Sequence, residues 1–407
     1  MEIRPIFSAM LRAKTAPLLL AAQVALTLAI ICNTSYLIVE RLAVSSRPTG
    51  ADEANVFAIS YVAAQKIDDV ESMQLRDEEV LRAIPGVKSA SWGNQVPLGR
   101  SGWNVGGLSA APDDQDSRIG AGQYMSPGSL IDTLGLELIE GRDFSPAEVV
   151  TIDPEQGTKL GPQVIITRRL AERLFPDETR YVGRQFYTGD QGQPKQVVGV
   201  VEKLHNPWAP TDDTVAESSL IHPVRFLDSQ SLYLVRVEPG RLQEVMREAE
   251  AQLTALRKDR VLRWVRTLGD VRDRRYAGER LLAGLLLGVT GFLLLITASG
   301  IVGMASLWVN QRRKQIGVRR ALGARRIDIL RYFLLENALI STLGVISGFV
   351  LALVLNDLLV RELSVTRLPW QYLAVGIVSM WVLGLLAVLA PAIRAAAVPP
   401  AVATRTA

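Results

Sequence analysis

Four apolar runs, Pro17 to Val39, Leu281 to Val309, Tyr332 to Leu355 and Trp370 to Ala390, constrain this chain more than any other feature. Each has the length of about 20 residues that a helix needs to cross a hydrocarbon layer. Such a layer offers no water to the backbone, so continuous runs of this kind predict transmembrane helices. A hydrophobic content of 48% over 407 residues leaves room for a large polar part as well. The first run follows Arg4, Arg12 and Lys14 as a secretory signal would. Its apolar part exceeds an ordinary signal core, and no small-x-small site with a polar follow-on comes after Cys32, so it reads as a retained anchor.

Lys and Arg in short flanks resist translocation. They gather in the N-terminal tail, in the connector 310–331 and after Ala390 (Arg394, Arg405), whereas the loop 356–369 balances Arg361 and Arg367 with Asp357 and Glu362. The expected topology places the N-terminal segment 1–16, the connector and the tail 392–407 in the cytoplasm, with 40–280 and the short loop outside. The net charge of +4 is thus absorbed by topology, and no basic stretch interleaved with aromatics elsewhere points to nucleic acid. Cys32, in the first run, is the only cysteine, so the outer segment has no disulfide framework and depends on its core.

Within that outer segment, Val56 to Ala63 reads as a strand, Asp77 to Ile84 as a helix stopped by Pro85-Gly86, and Val87 to Trp92 as a strand. Ser231 to Val237, Arg241 to Leu256 and Arg260 to Leu268 repeat the strand, helix, strand order. Two such halves predict one split βαβ layer over 50–109 and 229–268. Between them, 110–228 carries short β-prone runs (Gln163 to Thr167, Gln196 to Val201) and a helix from Arg168 to Phe175, which predicts an inserted, mostly β subdomain. The charged stretch 269–280 cannot enter hydrocarbon and reads as a helical stalk continuing the second span. The fold class is therefore a four-span α-helical membrane protein with an extracytoplasmic α+β domain.

The connector holds eight Arg or Lys and one Asp between 312 and 331. Ile316, Val318, Ala321 and Leu322 alternate with Arg319 and Arg320 as in a short amphipathic helix at the inner surface, with a turn at Gly323-Ala324. Glu336, near the start of the third span, needs a partner such as Arg326, Arg331 or a neighbouring helix. The pairs Gly284/Gly288 and Gly344/Gly348 have the spacing of close helix contacts. Trp308, Tyr332 and Trp370 read as interface anchors.

The connector sequence "RRKQIGVRRALGARRIDILRYFLLENALIS" resembles the signature of MacB and FtsX type ABC transporter permeases. "LRAIPGVKSASW", "LGLELIEGRDFS", "RLAERLFP", "VVGVVEKLHNPWAP" and the ending "APAIRAAAVPPAVA" are similar to the same family, in its order and over essentially the whole chain. The resemblance implies a porter-like outer layer, a second permease protomer (a copy or a paralogue) and a cytoplasmic ABC ATPase subunit that binds ATP and Mg, none of which this chain would bind itself. It also implies an export role, with a periplasmic membrane-fusion adaptor and an outer-membrane channel as further partners. By position, Lys314, Gln315, Ile316, Gly317, Arg319, Arg320, Gly323, Ala324 and Arg325 would form the ATPase-docking element. Gln315 stands where the family usually has Glu, which removes a charge from that contact. FtsX-like signalling to a periplasmic partner and lipoprotein release use the same architecture.

No G-x-x-x-x-G-K-[ST] loop is present. His205 and His222, the only histidines, read as surface residues rather than zinc ligands. Asp113, Asp114, Asp116, Asp212 and Asp213 lie in polar stretches without the marks of catalytic carboxylates, and Ser126 to Ser129 lack a nucleophile elbow. No catalytic residue and no metal site are expected.

Overall fold

The computed structural model describes residues 15–112, 119–154, 159–188, 193–208, 212–228, 230–363 and 366–397. Arg4, Arg12, Lys14, Arg405, Asp113, Asp114 and Asp116 lie outside the described residues. The chain forms two compact units, one of Met1–Val44 with Gly278–Ala407 and one of Ser45–Ala277. Its elements begin with α1 (Thr15–Ser46), β1 (Val56–Ala63), α2 (Val70–Ala83), β2 (Val87–Trp92), β3 (Asn104–Ser109), β4 (Ile119–Ser126), α3 (Leu130–Leu134), β5 (Leu138–Gly141) and β6 (Val150–Ile152). They continue through β7 (Gln163–Thr167), α4 (Arg168–Leu174), β8 (Gln185–Thr188), β9 (Gln193–Val201), α5 (Asp213–Ala216), β10 (Ser219–Phe226), β11 (Gln230–Val237), α6 (Leu242–Leu256) and β12 (Arg260–Thr267). The last four helices are α7 (Leu268–Gln311), α8 (Arg313–Ala321), α9 (Arg326–Leu363) and α10 (Trp370–Ala396).

Four helices, α1, α7, α9 and α10, are long and apolar enough to cross a membrane. Helix α1 is the most enclosed, with Leu20, Ala21, Val24, Ala25, Leu28, Ala29 and Cys32 all buried. Its contacts with α9 require glycine, because a Cβ on Gly344 would lie 2.7 Å from Val24 Cβ and one on Gly348 would lie 2.8 Å from Ala25 Cα. Side-chain hydrogen bonds also join the helices. Thr27 and Thr297 hydroxyls are 2.8 Å apart, Thr34 and Thr290 hydroxyls 3.0 Å, and Asn33 donates to the Ala352 carbonyl at 3.2 Å. Lipid offers no competing partner, so packing and these polar contacts rather than a hydrophobic drive hold such helices together.

In the second unit the four-stranded sheet has the order β12-β1-β11-β2, every neighbour antiparallel. Helix α2 joins β1 to β2 and α6 joins β11 to β12, so two strand-helix-strand pieces interleave. Phe57, Ile59 and Tyr61 of β1 and Tyr233, Val235 and Val237 of β11 share their core with Leu81 of α2 and with Val245, Ala249 and Leu253, one face of α6. The second sheet runs β4-β3-β8-β9-β7-β10-β6, and β4 also pairs with β10, which closes six strands into a ring. A closed ring leaves few free strand edges. Leu108, Val164, Ile166, Phe186, Val197 and Leu220 pack together with Leu170 and Leu174 of α4. The ring starts with β3, so the β-rich insertion begins at Asn104, six positions before the 110 expected from the sequence.

Helix α2 starts at Val70, not at Asp77, because its first two turns bury the polar Gln74 beside Met73 and expose Leu75, which breaks the apolar period. Two neighbouring acids on it are buried. Asp77 pairs with Arg260 of β12 and accepts the Tyr233 hydroxyl at 2.7 Å, while the Arg260 guanidinium lies 4.4 Å from the Tyr61 ring centre. Glu78 accepts from the Trp92 backbone at 2.9 Å and from Arg225 of β10 at 3.0 Å. One helix therefore ties both sheets together through two buried ion pairs.

The charged first turns of α7 are also fixed. Arg272 donates to Glu53 at 2.5 Å and to the Ser45 carbonyl at 2.8 Å, and Arg275 donates to the Trp208 carbonyl at 2.6 Å. The stretch read as a stalk does continue the second span as one helix and exposes Asp273, Arg274 and Arg280, while Arg272 and Arg275 bond to neighbours within their unit.

Both histidines are buried, which corrects the surface reading. His222 lies on β10 between β4 and β7, and His205 sits in a loop whose carbonyl accepts the Tyr124 hydroxyl at 2.6 Å. Burial lowers His205 to about 4 and His222 to about 3 from the ordinary 6.5, and neighbouring cations, Arg47 for His205 and Lys195 for His222, act in the same direction. Asp212 turns back on Thr214, its carboxylate accepting the backbone N–H at 2.8 Å.

Two outcomes follow from these buried charges. Asp77→Ala strands the Arg260 guanidinium and is expected to destabilise the second unit by about 3–5 kcal/mol in denaturant unfolding of the purified chain. Each histidine is neutral in the folded chain and takes up a proton on unfolding, so stability is complete above pH 6.5 and declines as pH falls toward 4 and 3. Unfolding free energies measured between pH 7 and 4 should fall with a slope of up to about 1.4 kcal/mol per pH unit for each imidazole, a slope lost in His222→Phe for its share.

Candidate functional site

Helix α7 ends at Gln311 and Arg312 is the N-cap residue of α8, so the chain turns there without a loop. Ile316 and Gly317 face inward, and Ile316 packs with Ile329, Phe333, Ala395 and Ala396. At its far end the Gly323 N–H reaches the Arg320 carbonyl at 3.2 Å and the Ala324 N–H reaches the Arg319 carbonyl at 3.0 Å. This paired closure needs a left-handed residue, supplied by Gly323 at φ +97°. Helix α9 begins immediately, with Asp328 accepting the Arg325 N–H at 2.9 Å. Gly317 is buried on the inward side of α8, and Gly323 reverses the chain.

The remaining expected residues divide by face. Lys314, Gln315, Arg319 and Arg325 are exposed, while Arg320 and Ala324 are half-buried. Arg320 donates to the Ala396 carbonyl at the end of α10 at 3.2 Å, a structural task. Val318 is 54% exposed and Leu322 83% exposed, so the apolar residues of the connector do not form one face: Ile316 goes to the core and these two point outward.

Glu336 is 2% exposed, and of the partners expected it takes one from a neighbouring helix, Arg312 at the N-cap of α8, rather than Arg326 or Arg331. One guanidinium nitrogen of Arg312 lies 2.9 and 2.8 Å from the two carboxylate oxygens and 3.1 Å from the Tyr332 hydroxyl. Arg312 precedes Glu336 by more than six helical turns' worth of chain across a break, so helical spacing within α9 could not disclose it. Asn337 beside it donates to the Gly384 carbonyl of α10 at 2.9 Å. The glycine pairs separate: Gly344 and Gly348 are at close helix contacts, whereas a Cβ on Gly284 or Gly288 would meet nothing within 4 Å, so those two are not packing residues within this chain. Trp370 is exposed, Trp308 is half-buried against the bundle core, and Tyr332 is held by arginines. Among the described residues no group of three or more metal-ligating side chains comes together.

The MacB-like periplasmic core domain matches residues 22–256 and the FtsX-like permease C-terminal domain matches residues 287–400. The chain belongs to the MacB/FtsX-type ABC transporter permeases. The permease is 29% identical over 232 residues to a macrolide export ATP-binding/permease protein MacB of Agrobacterium fabrum, covering 55% of this chain and 34% of that one. It is 26% identical over 300 residues to a pyoverdine export ATP-binding/permease protein PvdT of Pseudomonas syringae pv. tomato, covering 71% of this chain and 41% of that one. The chain thus spans between a third and two fifths of the length of these curated relatives. Among solved structures, a heavy metal efflux pump aligns over 84% of this chain and 34% of its own at 11% identity and a TM-score of 0.18, too low to relate the folds. The matched regions make this a membrane permease with an extracytoplasmic domain, of the bacterial inner membrane.

Removing one member of the connector ion pair leaves the other charge buried. Arg312→Met is expected to lower stability in detergent by about 3 kcal/mol, and adding Glu336→Met should recover most of it; thermal unfolding of the single and double variants measures both.

Proposed function

We propose that this permease is the membrane subunit of an ATP-driven exporter, and that α8 is the element on which a separate ABC ATPase docks. What carries the reading is the outward face of α8, where Val318 and Leu322 stand exposed beside Lys314 and Arg325. Two unburied aliphatic side chains within a basic frame suit a partner groove that is apolar in its centre and acidic at its rim. ATP and Mg belong to that partner, and the chain supplies the mechanical link. A push on α8 reaches α9 through Arg312–Glu336 and reaches α7 directly, since Arg312 follows its last residue.

In this reading the connector and both termini are cytoplasmic and Ser45–Ala277 is periplasmic, with the four-stranded sheet as a porter-like layer and the strand ring as its insertion. Movement of that domain extrudes a substrate from the periplasm; the relatives are named for export of macrolides and of pyoverdine. A second protomer completes the membrane part, and an adaptor with an outer-membrane channel receives the substrate. The presence of both a split layer and a strand ring supports export over a smaller signalling domain.

Leu322→Asp places a charge at the centre of the docking face without touching the bundle. It is expected to reduce co-purification with the ATPase by at least about tenfold while the permease remains folded. Undiminished co-purification, or labelling of a Leu322→Cys variant by an impermeant thiol reagent from outside the cell, would refute the assignment.

A further inference from the structure

The flank of α8 turned toward α9 has a different character from its outward face. Arg312, Gln315 and Arg319 recur at spacings of three and four, and with Tyr332 they line a cavity of about 20 Å³ floored by Ile316, Ile329 and Phe333. Both guanidiniums lie over the Tyr332 ring, at 6.0 Å for Arg312 and 5.2 Å for Arg319. Arg312 is neutralised by Glu336. Among the described residues Arg319 has no carboxylate partner, and Gln315 brings an amide and no charge. The cavity therefore keeps one uncompensated positive charge.

From this cavity an apolar stripe leads along α9. Leu335, Leu339, Leu343, Ile346 and Val350 follow Tyr332 at three and four residue steps, and all except the half-buried Leu339 are exposed. About ten residues of helix, roughly 15 Å, match the depth of one leaflet. A cationic, aromatic pocket at the head of a leaflet-long apolar strip is complementary to one class of molecule. The geometry points to an anionic phospholipid, its headgroup phosphate at the mouth of this cavity against Arg319, Gln315 and Tyr332, since about 20 Å³ holds little more than one water, and an acyl chain along Leu335 to Ile346. Docking of the ATPase uses the neighbouring face of α8, about a quarter turn away, and the Leu322→Asp and Arg319→Gln variants tell the two assignments apart.

The purified full chain in detergent, titrated with phosphatidylglycerol and observed by native mass spectrometry, tests the site. Wild type is expected to retain one lipid, and Arg319→Gln to lower the retained fraction about fivefold, the worth of one basic side chain at an anionic lipid. Gln315→Glu should lower it as much by neutralising the pocket with every arginine in place, and phosphatidylcholine should be held no better than phosphatidylglycerol is by Arg319→Gln. Equal retention of phosphatidylglycerol by wild type and both variants would overturn the proposal. So would displacement of the lipid by inorganic phosphate at equal concentration, which marks a free-anion site. Loss of ATPase co-purification in Arg319→Gln with lipid retention unchanged would give Arg319 to the protein partner and equally end the lipid assignment.

Discussion

A polar group inside a hydrocarbon layer must find its partner within the protein, and the membrane unit is arranged around that constraint. The threonine pairs between α1 and α7, the Asn33 bond to α9 and the Asn337 bond to α10 satisfy side chains that lipid could not. Along the α1–α9 contact that carries the Asn33 bond, Gly344 and Gly348 let the two backbones approach. The same requirement produces the Arg312–Glu336 pair, where a buried acid at the foot of α9 captures the first residue beyond α7. The connector is thereby fastened to the bundle at its start by charge, in its middle by Ile316, and at its end by the glycine turn.

Fastening on one side leaves α8 with two further surfaces of unlike chemistry. Its outward face shows aliphatic side chains within a basic frame, and its α9-facing flank shows an unneutralised guanidinium over a tyrosine. A protein groove and a lipid headgroup make different demands, hydrophobic area in the first case and charge at an interface in the second. In the two proposals, neighbouring faces of one short helix and its caps answer them separately.

The water-exposed unit solves an analogous problem by other means. Its two sheets, of four and eight strands, are joined by charge as well as by apolar burial. The adjacent acids of α2 reach in different directions, Asp77 to the four-stranded sheet and Glu78 to the strand ring, and each is costly to leave unpaired. That cost opposes sliding of one sheet on the other.

The sequence by itself determined the four spans, the two strand-helix-strand halves, the turn at Gly323 and the family, because hydrophobic period, glycine and local motif are properties of neighbouring residues. Helix α6, with Val245, Ala249 and Leu253 on one face, was legible for that reason. The tertiary structure alone decided which residues far apart in the chain would meet. It gave Glu336 to Arg312, Asp77 to Arg260 and Glu78 to Arg225, buried both histidines, and placed Gly344 but not Gly284 against a neighbour. A buried charge has the same letter as a solvated one, and a glycine spacing is the same whether or not another helix lies over it. What distinguishes them is the partner, and partners are chosen by the folding of distant segments.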